Sequence, residues 1–222
     1  RILRHIETLP DRFRNEEPML WIHQAWATWI DYRSNEVLPL LDRLDTEALA
    51  DQTKGHLLAL RANLAANAYD LPAVSAYAAS ALELLPPNQP FARANVFRLQ
   101  AIAAQFADRR TEALDAYRNV VDIARDAGLT HLRILAETGR GIVLERNLAL
   151  TEATARYIEV LRLAGDPDQP VTCEAHAGLG RIAYLKNDLD VTRQQLALGR
   201  DLAKQIQGID SDLSAEIELG RV

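Results

Sequence analysis

A small residue recurs along this chain at intervals of 37, 39, 40 and 39 residues, and a small or apolar residue follows each occurrence twelve positions later. The five pairs are Ala25 with Val37, Ala62 with Val74, Ala101 with Ala113, Gly141 with Ala153 and Gly180 with Thr192. A small side chain in the middle of one helix lets a second helix come close, and a repeat of about 34 to 45 residues with two helices per unit is typical of an α-solenoid. The spacing therefore predicts an all-α fold built from stacked helical hairpins.

The pattern of small residues resembles that of tetratricopeptide repeats, on a longer period than the usual 34 residues or so of that family. It predicts an α-solenoid of about five tetratricopeptide-like hairpins with a period of about 39 residues, wound as a right-handed superhelix. The pair Leu219-Gly220 repeats Leu179-Gly180 and indicates the start of a sixth unit.

The clearest unit lies over Ala175–Ala203, where Asn187-Asp188 separates two stretches that carry apolar residues at helical spacing. Asp70 before Leu71-Pro72 predicts a capped helix start, while Gly128 and Gly165 predict helix ends. The helices that these signals predict include 35–44, 46–68, 130–146 and 151–163.

Two regions are expected from this pattern. Residues 1–17 are predicted to be a linker or short helix that belongs to a preceding domain, and residues 18–222 to be the superhelical domain, truncated in its sixth repeat. Because the chain begins at Arg1 and ends two residues after Gly220, we expect it to be a piece of a longer protein.

Composition limits the classes of partner. The 25 basic and 31 acidic residues give a formal net charge of −6, which argues against binding of nucleic acid by this chain. The single cysteine, Cys173, suits a reducing compartment, and we expect the protein to be cytoplasmic. No apolar run approaches the 18 or so residues of a transmembrane helix, and no signal peptide is visible.

No motif for catalysis is present in the sequence. The five histidines lack the spacing of metal ligands, no pair of acids stands apart from the acidic background, and no serine lies in a nucleophile-elbow context. Cys173 is expected to be an inert surface or half-buried thiol. The sequence therefore predicts a chain that is not an enzyme and that holds neither a metal nor a cofactor.

Candidate ligand contacts come from the first helix of each hairpin, because first helices are expected to line the concave groove of the solenoid. Relative to each small anchor, positions −6, −3, +1, +4 and +5 are predicted to face that groove. The candidates chosen from them are Asn63, Asn67, Arg98, Gln105, Trp29, Glu145, Arg181 and Tyr184.

These candidates carry different expectations. Asn63, Asn67, Arg98 and Gln105 form the favoured cluster, in which Arg98 would bind a carboxylate or phosphate through two hydrogen bonds. Trp29 would stack on a sugar. For Arg181 and Glu145 a simple ion pair between repeats is the favoured interpretation, and for any single groove residue plain solvation remains the alternative.

Three stretches carry a resemblance to a known family. They are RHIETLPDRF…PMLWIHQAWATW near the start, NAYDLPAVSAYAASALELLP over Asn67–Pro86, and AHAGLGRIAYLKNDLDVTRQQLALGRDLA over Ala175–Ala203. Together they resemble the MalT-like, ATP-dependent LuxR-type transcription activators of the signal-transduction ATPase (STAND) class. The resemblance covers essentially the whole chain.

The resemblance implies a function for this segment. In that family it is the superhelical sensor, which lies between a nucleotide-binding region and a DNA-binding helix-turn-helix, receives a small-molecule inducer or regulatory proteins, and governs nucleotide-dependent self-association of the full protein. The sequence has no G-x-x-x-x-G-K-[ST] motif, so ATP is expected to bind a part of the parent protein outside this chain. A second hypothesis is a tetratricopeptide-like scaffold that binds a peptide or a partner subunit.

Overall fold

The computed structural model describes residues 10, 13, 16–31, 33–44 and 48–206, except for the side chain of residue 206. Within these residues it contains ten α-helices and no β-strand, which confirms the predicted all-α fold. The helices are α1 (Pro18–Ile30), α2 (Val37–Leu41), α3 (Asp51–Asn67), α4 (Leu71–Leu84), α5 (Pro90–Phe106), α6 (Arg110–Asp126), α7 (Thr130–Arg146), α8 (Leu150–Ala164), α9 (Cys173–Leu185) and α10 (Leu189–Ala203). Short 3₁₀ segments are Ser34–Glu36, Pro170–Thr172 and Lys204–Ile206.

The ten helices follow one another as five pairs, as the repeat predicted. All ten residues of the small-residue pattern are buried, which explains why their spacing is so regular. Asp70 caps α4 by accepting a hydrogen bond from the Ala73 N–H at 3.1 Å, and Asp188 caps α10 by accepting one from the Val191 N–H at 3.2 Å.

In four of the helix pairs, one residue of the turn between the two helices has the left-handed backbone conformation. It lies seven residues after the small residue of the first helix that defines the repeat. The residues there are Tyr69, Asp108, Leu148 and Asn187, with φ between 56° and 60°. Asp and Asn tolerate this conformation, whereas for Tyr and Leu it costs roughly 1 kcal/mol or more. The turn geometry is therefore imposed by the packing of the two helices rather than by the residue at the turn.

Several predicted boundaries need correction. The helix predicted over 46–68 begins only at Asp51, and the helix predicted over 35–44 is a 3₁₀ turn followed by the five-residue α2. Cys173 is buried at the start of α9, not half-buried or on the surface. Most of the predicted 1–17 segment and the whole of the predicted sixth repeat lie outside the described residues.

By contacts between Cα atoms the chain forms two compact units, Arg1–Ala103 and Ala104–Val222. In the first unit α1 packs on α2 and α3, and α3 packs on α4. Its core contains the buried indoles of Trp21 and Trp26 together with Val37 and Leu41. In the second unit each helix from α6 to α9 packs on the one that follows, and α7 also packs on α9.

In the second unit, tyrosines of the second helices pack against glycines of the first helices. A Cβ atom at Gly139 of α7 would overlap the ring of Tyr117 on α6. The ring of Tyr157 on α8 similarly fills space beside Gly141 of α7 and Gly178 of α9. Tyr117 and Tyr157 are 2% and 0% exposed, so these contacts are part of the core.

In the described part of the chain, no helix has both the length and the apolar character needed to cross a membrane.

Replacing Gly139 by Ala tests the tyrosine contact. The added methyl group collides with a buried ring, and overpacking of this kind costs about 1–3 kcal/mol, partly offset by roughly 1 kcal/mol of improved helix propensity. Because the added Cβ would lie only 2.2 Å from Cζ of Tyr117, the upper part of that range applies, and we expect a net loss of about 1–2 kcal/mol in the free energy of unfolding, measured by chemical denaturation. The control is Ala155→Leu at an exposed position of α8, which should change stability by less than about 0.5 kcal/mol. An unchanged or more stable Gly139→Ala variant would contradict this packing.

Candidate functional site

The first unit contains a polar cluster centred on Asn63, which is 1% exposed. Its Nδ2 donates to the carbonyl oxygen of Ala59 at 2.7 Å and to Oδ1 of Asn95 at 2.6 Å. Its Oδ1 accepts from Nη2 of Arg98 at 2.8 Å. One amide on α3 therefore connects two side chains of α5.

Arg98 also contacts the first helix of the chain. The centre of its guanidinium lies 5.5 Å from the centroid of the Trp29 ring, within the range of a cation–π interaction. Trp29 meets Trp26 edge to face, with ring centroids 5.9 Å apart. Arg98 is half-buried, and through its contacts it links α1, α3 and α5.

The structure joins only part of the favoured cluster. Asn63 and Arg98 are bonded to each other, and Trp29, which the sequence suggested separately, joins them. Asn67 is exposed at the last residue of α3. Gln105 belongs to the second unit, where its Oε1 accepts from the hydroxyl of Tyr117 at 3.0 Å. Whether any of them binds a ligand stays a prediction.

A buried histidine lies in the same unit. His56 is 5% exposed, and its Nδ1 accepts from Nε1 of Trp26 at 3.2 Å. Burial, with a smaller contribution from the charge of His23, lowers the pKa of His56 from 6.5 to about 4. The imidazole is therefore neutral at physiological pH and carries its proton on Nε2.

Glu145 and Arg181 form the ion pair that was the favoured interpretation. Nε and Nη2 of Arg181 donate to the two carboxylate oxygens of Glu145 at 2.6 and 3.0 Å, and Nη2 also donates to Glu174 at 2.8 Å. Burial lowers the pKa of Arg181, but the two carboxylates more than offset this and hold it above its ordinary value. Tyr184 lies one turn along α9 from Arg181 and is 39% exposed.

The same carboxylate accepts a hydrogen bond from Tyr157, at 2.6 Å from the hydroxyl to Oε2 of Glu145. Burial and the nearby carboxylates raise the pKa of Tyr157, so its hydroxyl remains a donor. Glu145 therefore connects α8 and α9 from its position on α7. This arrangement explains a structural role for Glu145 and Arg181 without any ligand.

The predicted groove-facing positions are partly wrong. Seven of the residues placed on the groove are instead buried: Ile22, Trp26, His56, Ala59, Asn63, Asn95 and Ala177. The reason is that successive first helices pack on each other, as α1 does on α3 and α7 on α9, which covers the side facing the next helix. Sequence reasoning missed Tyr157 as a functional residue, and it placed Asn95 and Glu174 on the groove without choosing them as candidates. Of these, Tyr157 had a signal, because it repeats the register of Tyr117.

The comparisons with known proteins agree with this architecture. The family model described as the MalT-like TPR region matches residues 55–222, which is more than half of the chain. The chain belongs to the MalT-like TPR family. No curated protein matches it by sequence. Among solved structures, the crystal structure of BtubC (BKLC) from P. vanneervenii is similar with a TM-score of 0.57 and 14% identity, covering 85% of this chain and 86% of that one. At this identity the likeness shows the fold alone.

A MalT-like TPR region is a regulatory, sensor or protein-interaction domain, and its helical repeat is a non-catalytic scaffold fold. Among the described residues, no three His, Cys, Asp or Glu side chains are grouped so that they could hold a metal ion.

The second unit also contains an open, mostly apolar cavity of about 430 Å³ between α8, α9 and α10, which the sequence did not predict and whose edge includes Lys186 and Asp188. Ile182 and Ala183 of α9 are buried at this cavity. Ile158 of α8 and Val191 of α10 also line it and are 55% and 40% exposed. It is large enough for a small ligand or for apolar side chains of a peptide.

The buried histidine predicts a pH dependence of stability. Because its pKa is about 4 in the folded protein and 6.5 when exposed, the unfolded chain binds the proton more readily between these values. The free energy of unfolding should therefore fall, by on the order of 1–3 kcal/mol, as the pH is lowered from about 6.5 towards 4. Denaturation curves measured across this pH range should show that the free energy of unfolding falls less steeply in His56→Gln than in the wild type. In His23→Gln, which alters an exposed residue, most of the fall should remain, and equal flattening in both variants would refute the assignment to His56.

Proposed function

We propose that this MalT-like TPR domain is the effector-sensing region of a LuxR-type transcription activator. It binds a small-molecule inducer, or a regulatory protein, on the first helices and thereby controls the nucleotide-dependent self-association of the full-length protein. In this proposal ATP is bound and hydrolysed by a different domain of a cytoplasmic parent protein.

The contact of Arg98 with Trp29 and Asn63 is the observation that supports this proposal most. A half-buried cation beside an aromatic ring offers a charge and a stacking surface to one ligand. Because Trp29, Asn63 and Arg98 lie on three different helices, a ligand that engages Arg98 acts on the packing of α1, α3 and α5 together.

Binding becomes a signal only if it favours one arrangement of these helices over another. A ligand with equal affinity for both arrangements would shift nothing, however tightly it bound. An effector that draws the guanidinium of Arg98 away from Asn63 and Trp29 would bind the two arrangements unequally. Its bound arrangement would lack the two contacts that Arg98 makes in the ligand-free one.

A protein-interaction scaffold is the second candidate, and the cavity between α8, α9 and α10 favours it. The exposed Ile158 and Val191 at this cavity would receive the apolar side chains of a peptide or partner subunit.

One experiment separates the two functions. Thermal unfolding is measured against sugars, sugar phosphates, aromatic acids, acyl thioesters and short peptides, where a ligand at about 100 times its dissociation constant adds about 2.7 kcal/mol. Amide chemical shifts then locate the bound compound. Shifts around Trp29 and Arg98 by a small molecule support the sensor, shifts around Ile158 and Val191 by a peptide support the scaffold, and a panel with no hit contradicts the sensor proposal.

Replacing Arg98 by Ala should weaken binding of a charged effector found in this way. Loss of a charge-assisted hydrogen bond costs about 1.5–3 kcal/mol, which corresponds to roughly a 10- to 150-fold rise in the dissociation constant. Calorimetric titration gives this value, with Arg61→Ala on α3 as the control at which affinity should not change. Equal affinity of the wild type and Arg98→Ala would remove Arg98 from the site.

A further inference from the structure

The hydrogen bonds around Asn63 fix the orientation of its side-chain amide. Arg98 has only donors, so the atom that faces it must be the oxygen of Asn63. The carbonyl of Ala59 only accepts, so the atom that faces it must be the nitrogen. Asn63 therefore cannot be reversed without losing both bonds.

This orientation determines that of Asn95 in turn. The Nδ2 group of Asn63 donates to Asn95, so Asn95 must present its oxygen, and its own Nδ2 points the other way. Asn95 is 0% exposed, and its Nδ2 is buried without a hydrogen-bond acceptor in the part of the chain that the structure describes. A buried donor of this kind is a cost to folding that an apolar side chain of similar size would avoid.

Asn95 and Arg98 lie three residues apart on α5, which places them on one face of the helix, and both contact Asn63. Both amide atoms of Asn63 are already engaged. What the pair Asn95 and Arg98 offers to a ligand is therefore hydrogen-bond donors, with the positive charge of the guanidinium beside them.

We propose that the effector is an anion whose carboxylate or phosphate oxygens accept from both Arg98 and Nδ2 of Asn95. This inference rests on the proposed effector-sensing function and specifies the ligand class for the same site. An ammonium group would bring only donors, would leave Nδ2 of Asn95 unpaired, and would meet the charge of Arg98. A neutral hydroxyl could accept from either donor but would leave the charge of Arg98 without a counter-charge.

The anion reaches Asn95 when the half-buried Arg98 side chain turns away from Asn63. That movement breaks the 2.8 Å hydrogen bond to α3 and the contact with Trp29 on α1. Binding is thus favoured because the anion accepts a hydrogen bond from the buried Nδ2 of Asn95. The same binding changes the contacts between the first helices.

Side-chain amide NMR of the folded domain tests this inference, with four probes that share one sugar frame: glucose 6-phosphate, gluconate, glucose and glucosamine. The Asn95 amide pair is identified as the signals missing from Asn95→Asp, a variant that keeps an oxygen for Asn63 but replaces the buried donor by an acceptor. Circular dichroism confirms that the variant is folded, and Asn95→Leu serves as a second assignment variant if it is not. Asn119→Asp, at an exposed position of α6, is the matched control.

At least one of the two anions should move the Asn95 amide protons downfield, and glucose and glucosamine should not. Which anion does so distinguishes phosphate from carboxylate. Asn95→Asp should bind that anion at least about 10-fold more weakly, because a charge-assisted bond is replaced by repulsion, and Asn119→Asp should bind it as the wild type does.

Two outcomes overturn the inference. If neither anion shifts these protons at concentrations up to about 10 mM, where a millimolar dissociation constant would be visible, the anion does not bind there. If glucose or glucosamine perturbs the Trp29 signal while the Asn95 amide stays unmoved, the sensor function stands and the anionic class is wrong.

Discussion

The ring of Tyr157 lies between two helices that leave space for it only because each carries a glycine. It packs beside Gly141 of its own pair and Gly178 of the next, and its hydroxyl donates to Glu145, which in turn holds Arg181. This one side chain sets how closely α7, α8 and α9 approach one another. It also places the acceptor for the ion pair between repeats that the sequence had singled out.

The same rule of matched sizes extends through the repeat. Tyr117 lies against Gly139 as Tyr157 does against Gly178, and both tyrosines occupy the same register of the second helix. In the second pair that register holds Ala78, and α5 carries Leu99 where α7 and α9 have glycine. At these two positions of the repeat, the second helix of the second pair therefore has a small residue and the first helix of the third pair a large one.

The helices and their repeat could be predicted from the sequence, whereas the burial of the polar side chains could not. Buried small residues such as Ala62 and Gly141 recur because the backbone must pass close to them, and the Asp70 and Asp188 caps follow from local chemistry. Spacing and capping residues together therefore located most of the helices. The burial of Asn63 and Asn95 could not be predicted, because it depends on the neighbouring first helix, which covers one face of α3 and of α5. Likewise the start of α3 at Asp51 is not marked by a capping side chain, since Ala50 precedes it.

Two arginines show why a groove position does not by itself indicate a ligand. Arg181 contacts two carboxylates, Glu145 and Glu174, and a ligand would have to replace the charge-assisted hydrogen bonds to both in order to engage it. Arg98 donates to the amide oxygen of Asn63 and contacts the Trp29 ring, and Asn95, whose Nδ2 is a buried donor, bonds to the same Asn63 amide. The sensing role is therefore proposed at Arg98, whereas Arg181 is assigned to the packing of the second unit.

A double-mutant cycle between Tyr157 and Gly178 tests the packing rule most directly. Tyr157→Ala should lower the free energy of unfolding by about 3–5 kcal/mol and Gly178→Ala by about 1–2 kcal/mol when each is made alone. Once the ring is removed, the methyl group that Gly178→Ala introduces has space, so adding this change to Tyr157→Ala should raise stability by up to about 1 kcal/mol through helix propensity. The account therefore predicts a coupling energy of about 1–3 kcal/mol between the two sites. Effects that add to within about 0.5 kcal/mol would contradict it, since independent sites add in this way.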